Sequence, residues 1–227
     1  MNINIMFVHN FSVQYPKHEI PFKIGYRELL SFYQNLESET KGYYAEVVKD
    51  NWNIIDVGAN IGMFTLLFGK LTSGTVWAIE ASQENYAMLQ QNVDAVFPDN
   101  KQLVTINAYI SNKSERATGE IHYLWTGRGS VLRNTGEFDF VTLDDLIGDS
   151  AHVDLIKIDI DGYDFEAVQG AVQIIKKCKP IVVIELVAEA LNLHGHTTQQ
   201  VADFMLSLNY RQTRVLDNCN YVFEYHE

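Results

Sequence analysis

The sequence has little cysteine, little proline and few basic residues. Among 227 residues there are two cysteines, four prolines and 17 lysines or arginines, against 29 acidic residues. Cys178 and Cys219 fit no zinc-binding or redox spacing, so we interpret them as reduced thiols. The net charge of −12 repels a phosphate backbone, and the densest basic stretch, 176–179, is typical of a helix end. We therefore expect no nucleic acid among the partners.

Long apolar runs are also missing. The longest interior run, 181–184, is far shorter than the ~20 residues that a membrane-spanning helix needs. Residues 1–9 have no basic stretch before their short apolar run, so they do not indicate a signal peptide. We therefore expect a cytoplasmic protein without a membrane span. With 47% hydrophobic and 20% charged residues, the composition is ordinary for one globular domain.

From about residue 52 onward, short β-rich runs alternate with helical patterns. The predicted strands cover 53–57, 75–79, 103–109, 154–158 and 181–186, followed by two closing strands at 211–216 and 221–225. The closing strands have only a turn between them, so they should pair antiparallel. This pattern predicts an α/β fold with a parallel sheet wrapped by helices and a ligand at the carboxyl ends of its strands.

Residues 1–50 lack this alternation. The spacing of 26–36 predicts an amphipathic helix. We interpret 1–50 as a helical cap or lid on the same domain as 51–227.

A glycine-rich turn follows the first predicted strand. Gly58 and Gly62 are spaced G-x-x-x-G, which differs from the G-x-G-x-x-G of dinucleotide-binding turns. Glu80 closes the second strand about 20 residues later, where an acidic side chain can accept hydrogen bonds from ribose hydroxyls. Separately, these features also fit a plain connecting turn and a solvated charge. Together they predict a nucleoside-containing cofactor without a pyrophosphate.

Three carboxylates surround the end of the fourth predicted strand. Strand alternation puts Asp159 and Asp161 on the same side as Lys157. Their mutual repulsion must be offset by a cation, by Lys157, by backbone N–H groups or by a shared proton. Asp164 also fits the N-cap of the next helix. Lys157 and a carboxylate can form an ion pair that only stabilises the fold, or one that takes part in catalysis, and the sequence is equally compatible with both.

Two further residues are expected near this strand end. Glu185, late in the fifth strand, is either a paired buried acid or a ligand. His194 lies in the following loop, where its near-neutral pKa suits a general base, although loop histidines are more often merely solvated. The catalytic candidates are therefore Asp159, Asp161, Glu185 and His194, and the three carboxylates are also candidates for holding a divalent cation.

Residues from about 51 to 186 resemble the FkbM family of class I S-adenosylmethionine-dependent methyltransferases. The matching segments are 54–65, 78–82, 141–146, 154–162, 170–171 and 180–185. The resemblance implies a Rossmann-like, seven-stranded methyltransferase sheet with a C-terminal antiparallel β-hairpin. Where the family more often has D-x-E-G-x-E, this chain has Asp161 and Asp164, whose shorter side chains weaken any role carried over to them.

The resemblance also implies residue roles and an activity. The implied cofactor-binding residues are Asp56, Gly58, Asn60 and Gly62 for the methionine part, Glu80 and its neighbour Ala81 for the ribose, and Asn107 and Ala108 for the adenine. The implied reaction is O-methylation of a hydroxyl on a sugar, a glycan or a small natural product. Two alternatives stay open, an NAD-dependent oxidoreductase or epimerase and a catalytically inactive nucleoside-binding module. The oligomeric state, including a homodimer, also stays open.

Overall fold

The computed structural model describes residues 9–16, 18–24, 37–99, 101–123, 132–149 and 151–227. The helix predicted over 26–36 lies outside these ranges. Before the central sheet, the described residues form an antiparallel hairpin of β1 (His9–Gln14) and β2 (Glu19–Ile24), followed by helix α1 (Ser38–Val47). The segment expected to form a helical cap or lid thus also contains a hairpin that no pattern in the sequence indicates, and its role as a cap stays a prediction.

Apart from three strands between residues 109 and 141, the remaining elements follow the strand-then-helix order that the sequence predicts. In chain order they are β3 (Ile54–Val57), α2 (Met63–Leu71), β4 (Val76–Glu80), α3 (Gln83–Val96), β5 (Leu103–Asn107), β6 (Tyr109–Ile110), β7 (Glu115–Tyr123), β8 (Leu132–Val141), α4 (Leu143–Ile147), β9 (Leu155–Ile158), α5 (Asp164–Gln169), α6 (Val172–Cys178), β10 (Ile181–Glu185), α7 (Ala188–Leu193), α8 (Thr198–Ser207), β11 (Tyr210–Leu216) and β12 (Asn220–Tyr225).

Seven strands form the central sheet in the order β11-β12-β10-β9-β3-β4-β5. Neighbours from β10 to β5 pair parallel, whereas β12 is antiparallel to both β10 and β11. This confirms the predicted α/β sheet and its closing hairpin. The chain leaves β3 towards β4 on one side and later returns to β9 on the other. The carboxyl ends of β3, β4, β9 and β10 therefore lie at the sheet edge where such folds bind ligands.

Two hydrophobic cores cover the two faces of the sheet. All four residues of β3 and all four of β9 are buried, as expected for central parallel strands covered by helices on both faces. Alternation along β3 sends Ile54 into the core shared with α2, α3 and the N-terminal hairpin, and Ile55 into the core shared with α5, α6 and α8. Asp56 follows on the same face as Ile54, so a carboxylate is buried in the first core.

Local signals in the sequence account for several element ends. Ser82 Oγ accepts a hydrogen bond from the N–H of Asn85 and caps α3, and Thr197 forms a capping box with Gln200 at the start of α8. The third predicted strand is too long by two residues, because β5 ends at Asn107. Tyr109–Ile110 instead joins β7 and β8 in a separate sheet of three strands.

The N-terminal hairpin is fastened to the turn that follows β3. The side chain of Asn92 on α3 accepts from the N–H of Lys23 (2.7 Å) and donates to the carbonyls of Lys23 (3.1 Å) and Ile61 (2.8 Å). The hydroxyl of Tyr15 donates to the carbonyl of Met63 (2.7 Å). Both anchors hold backbone at the start of α2, so the hairpin fixes the position of the glycine-rich turn. Within the described ranges, no helix is both long and apolar enough to cross a bilayer.

Candidate active site

Gly58 brings the turn after β3 into direct contact with the end of β9. Its φ is +78°, and a Cβ at this position would lie 1.7 Å from the carbonyl oxygen of Asp159. A side chain is therefore excluded both by conformation and by space. The N–H groups of Gly58 and Ala59 both donate to the carbonyl of Ile79 (2.9 and 3.0 Å), which ties the turn to β4 as well.

Gly62 ends the same turn with a φ of +98°, and α2 begins at the next residue. A Cβ there would approach the side chain of Leu89 to 2.9 Å. The G-x-x-x-G spacing thus reflects two left-handed positions, one against β9 and one against α3. Both glycines are therefore required by contacts within the protein, and they let the turn pass tightly between these two elements before α2 begins.

Glu80 faces the turn rather than solvent. It is 7% exposed, and its carboxylate accepts from the N–H of Asn60 and the N–H of Ser82, both at 2.8 Å. Burial raises the pKa of Glu80 to about 7, although these two N–H groups lower it. The structure thus brings together the turn and the acidic residue that the sequence pairs.

Asn60 supplies a test of whether the turn suits the cofactor. Its φ is +51°, and its buried side-chain oxygen accepts no hydrogen bond from any described residue. Buried acceptors are normally paired, so an orphan acceptor beside a glycine turn suits a ligand that carries N–H donors. The amino group of a bound methionine part meets that requirement, and the residues present therefore fit S-adenosylmethionine.

Asn107 and Ala108 lie at the neighbouring strand end. The side-chain amide of Asn107 donates to the carbonyls of Glu80 (2.8 Å) and Ala81 (3.1 Å). The N–H of Ala108 also donates to the carbonyl of Glu80 (3.3 Å). These bonds fix the backbone that carries Glu80. Glu80, Asn107 and Ala108 therefore lie at the same sheet edge as the glycine-rich turn, where the resemblance places the ribose and the adenine.

Asp56 belongs to a buried ion-pair network beneath the turn. It is fully buried, and its carboxylate accepts from the hydroxyl of Thr65 at 2.6 Å. The ammonium of Lys157, its cross-strand neighbour, lies 3.7 Å from Asp56 and 2.9 Å from Asp159. Burial by itself lowers the pKa of Lys157, but the two carboxylates raise it well above its usual value. Through these contacts Asp56 supports the site from within, and the direct cofactor contact that the resemblance implies stays a prediction.

Three carboxylates converge at the ends of β9 and β10. Glu37, Asp159 and Glu185, here called the carboxylate cluster, each place one oxygen within 4.8 Å of the other two. The charge of Asp159 and burial together raise the pKa of Glu185 to about 10. Burial and the charge of Asp159 raise the pKa of Glu37 to about 7. The cluster therefore retains protons near neutral pH unless another positive charge enters it.

No local signal in the sequence indicates Glu37 as a member. It precedes α1 with a φ of +51°. The first turn of α1 is attached to the tip of the C-terminal hairpin, because Asp217 accepts from the N–H and the hydroxyl of Thr40 (both 2.8 Å) and donates its own N–H to Glu39 (2.8 Å). This long-range attachment carries Glu37 over the sheet edge.

The other sequence candidates lie around the turn after β9. Asp161, with a φ of +54°, is not a member of the carboxylate cluster. Asp164 accepts from the N–H groups of Ile160 and Gly162, both at 2.9 Å. It therefore closes the turn before α5 instead of capping that helix. Burial raises the pKa of Asp164 to about 7.

His194 is also placed outside the carboxylate cluster. Its ring centroid lies 4.0 Å from that of Tyr163, and a Cβ on Gly162 would come within 2.8 Å of its Cδ2. The side chain therefore packs on the turn after β9. This position gives no support to a general-base role inside the cluster.

The chain matches the family model described as the methyltransferase FkbM domain over residues 56–212. Among solved structures it is similar to methyltransferase FkbM from Methylobacillus flagellatus KT, with 20% identity, a TM-score of 0.55 and coverage of 78% of this chain but 44% of that one. It thus spans less than half of that relative.

Two further solved structures share the fold. One is precorrin-6y C5,15-methyltransferase from Geobacter metallireducens GS-15, with 13% identity, a TM-score of 0.52 and coverage of 83% of this chain and 87% of that one. The other is a SAM-dependent methyltransferase from Aquifex aeolicus, with 14% identity, a TM-score of 0.51 and coverage of 83% and 89%. No curated protein matches the chain.

Proposed function

This chain belongs to the FkbM methyltransferase family, and from that premise we propose that it methylates a hydroxyl group of a sugar, a glycan or a small natural product. S-adenosylmethionine is the cofactor of this family, and it supplies a methyl group already activated on a sulfonium. What remains for the protein is to hold the acceptor in line and to manage the proton of its hydroxyl.

One observation carries the proposal: the glycine-rich turn and the carboxylate cluster meet where Gly58 contacts the backbone of Asp159. Gly58 packs on the carbonyl of Asp159, so cofactor-binding backbone and acid side chains share one edge of the sheet. On one side of this contact, we assign the buried side-chain oxygen of Asn60 to the methionine part of the cofactor and the carboxylate of Glu80 to its ribose. The carboxylates that can receive a hydroxyl proton lie on the other.

Within the cluster, Asp159 is the residue that we assign to receive the proton. Its side chain is 25% exposed and one of its oxygens is held by Lys157, so it is both oriented and accessible. Glu185, whose pKa is raised, keeps a proton at neutral pH and can donate a hydrogen bond to the acceptor oxygen. Two neighbouring carboxyl groups with different protonation suit acid and base roles. The roles of Asp161 and His194 are secondary in this proposal.

We also propose that residues 1–50 and 51–227 work as one domain. Glu37 reaches the carboxylate cluster from the first segment, and the hairpin contacts the glycine-rich turn through Asn92. The density of acidic groups favours a neutral or cationic acceptor over a polyanion.

Formation of S-adenosylhomocysteine with a panel of hydroxylated acceptors tests the activity. We expect Asp159→Asn to abolish turnover while S-adenosylhomocysteine binding, measured by calorimetry, stays within a few-fold of wild type. Asp203→Asn, at an exposed position of α8, is the matched control and should keep full activity. Unchanged turnover in Asp159→Asn contradicts the assignment. Cofactor binding without turnover on any acceptor indicates the inactive module, and binding of NAD instead indicates an oxidoreductase.

A further inference from the structure

Lys41, near the start of α1, is a buried lysine whose ammonium has no anionic partner in contact. The residue is 3% exposed. Among the described residues, no acid oxygen lies within 4.0 Å of its Nζ, and Nζ donates no hydrogen bond. The ammonium lies 5.6 Å from the centroid of the Tyr15 ring, which attracts a cation more weakly than an anion does. Burial of an ammonium is costly unless the charge is paired, so Lys41 suits an anionic ligand.

The neighbours of Lys41 place it between the glycine-rich turn and the carboxylate cluster. On one side, the hydroxyl of Tyr15 donates to the carbonyl of Met63 (2.7 Å), the residue directly after Gly62. On the other side, the N–H of Lys41 donates to the carbonyl of Glu37 (2.9 Å), whose side chain belongs to the cluster. Lys41 therefore lies where the methionine part of the cofactor and the acceptor are assigned to meet.

The acids nearest to Lys41 do not neutralise it by direct contact. The carboxylate of Asp217 accepts from the N–H groups of Glu39 and Thr40 and from the Thr40 hydroxyl, so its oxygens are already engaged. Because the pKa of Glu37 is raised to about 7, this acid is partly protonated at neutral pH. Burial lowers the pKa of Lys41, although the charges of Glu37 and Asp217 raise it. An anion in contact with the ammonium would stabilise its charged form.

The cofactor of the family carries an anion of the required kind. In its methionine part, a carboxylate and an amino group are attached to the same carbon, so the protein groups that bind them must be neighbours. Asn60 offers a buried acceptor to the amino group. The described chain has two buried lysines, and the ammonium of Lys157 is already held between Asp56 and Asp159. Lys41 is therefore the buried lysine left for the carboxylate.

We propose that the ammonium of Lys41 binds the carboxylate of the methionine part of S-adenosylmethionine. The inference rests on the cofactor of the family and not on the proposed acceptor. It makes α1 a part of the cofactor site, whereas the cofactor-binding residues expected from the sequence lie between 56 and 108. Since α1 also follows directly on Glu37, one helical turn then joins the cofactor to the carboxylate cluster.

Calorimetry on the full chain with two ligands tests the inference. S-adenosylhomocysteine has the carboxylate, and decarboxylated S-adenosylhomocysteine lacks it but keeps the amino group. Wild type should bind the first ligand at least about tenfold more tightly, because the second cannot form a charge-assisted hydrogen bond with Lys41. Lys41→Gln should weaken S-adenosylhomocysteine by a similar factor without weakening the decarboxylated ligand. Lys49→Gln, at an exposed position just after α1, is the control and should change neither affinity.

The comparison of ligands separates binding from a purely structural role. Equal weakening of both ligands by Lys41→Gln overturns the inference, because Lys41 then only supports the fold. Unchanged affinity for S-adenosylhomocysteine in this variant also overturns it, because the carboxylate then binds elsewhere. Lys41→Met gives the same comparison if Lys41→Gln does not fold, and equal affinity of wild type for both ligands overturns the inference without any variant.

The same measurements distinguish failure of this inference from failure of the proposed function. If wild type binds neither ligand, the cofactor assignment and this inference fall together. A wrong acceptor class leaves all of these affinities unchanged, because no acceptor is present in the measurement.

Discussion

Lys157→Met removes the ammonium that links the two central strands beneath the candidate site. Lys157 is 2% exposed, and its Nζ lies 2.9 Å from Asp159 and 3.7 Å from Asp56. Methionine keeps an apolar stem of similar length but leaves the fully buried carboxylate of Asp56 without its counter-charge. Removing one partner of a buried ion pair costs about 3–5 kcal/mol. Because water can reach Asp159, we expect a loss of about 3 kcal/mol at pH 8.

Urea unfolding, followed by the fluorescence of Trp52 and Trp77, measures this loss. Trp52 packs against one core and Trp77 against the other, so both report on the central sheet. In the double variant with Asp56→Asn, we expect stability to recover by on the order of 2 kcal/mol, which is the coupling energy of residues in direct contact. The hydroxyl of Thr65, which donates to Asp56, can donate to the new amide oxygen. Lys176→Met, at an exposed position of α6, is the control.

The pH dependence of the loss gives a second check. Burial raises the pKa of Asp56, and Lys157 lowers it, so removing Lys157 lets Asp56 take up a proton at higher pH. A carboxyl group with a raised folded-state pKa stabilises the fold at low pH and loses that contribution as pH rises. The cost of Lys157→Met should therefore shrink towards pH 5. A loss below about 1 kcal/mol at pH 8, or no coupling to Asp56→Asn, refutes the reasoning.

Two further predictions concern residues that hold the glycine-rich turn. Because burial raises the pKa of Glu80 from 4.5 to about 7, this group should lower the free energy of unfolding by about 3 kcal/mol as pH rises from about 4.5 past 7. Glu80→Gln should remove that part of the slope in urea unfolding at several pH values, and an unchanged slope would contradict the prediction. Asn92→Ala removes one buried and two partly buried hydrogen bonds and should cost about 2–3 kcal/mol. It should also weaken S-adenosylhomocysteine binding in calorimetry, whereas Gln90→Ala, at an exposed position of the same helix, should change neither.

Part of the site follows from local sequence patterns. Apolar runs that stop at Gly58 and Glu80 predict both the strands and the residues at their ends, because strand periodicity and turn chemistry act over a few residues. Once the strands are parallel, their carboxyl ends share one edge, so Asp159 and Glu185 are expected near each other. Lys157 is predictable as a partnered lysine, since an unpaired ammonium inside an apolar strand is costly.

Other choices depend on contacts between distant parts of the chain. Asp164 has the sequence context of a helix cap, but the tight turn after β9 brings two N–H groups to its carboxylate first. Asp161 follows Asp159 by two residues and His194 lies in the loop after Glu185, so their positions in the sequence suggest that both side chains join the same site. Their backbone turns nevertheless place them outside the carboxylate cluster.

The sequence by itself determined the succession of the seven central strands, the glycine-rich turn and two of the three acids at the sheet edge, because each rests on periodicity or on the conformational limits of neighbouring residues. Only the tertiary structure decided that Glu37 is the third acid. Its position depends on Asp217, at the far end of the chain, holding the first turn of α1. No pattern of nearby residues encodes an attachment between segments that meet only when the core has packed.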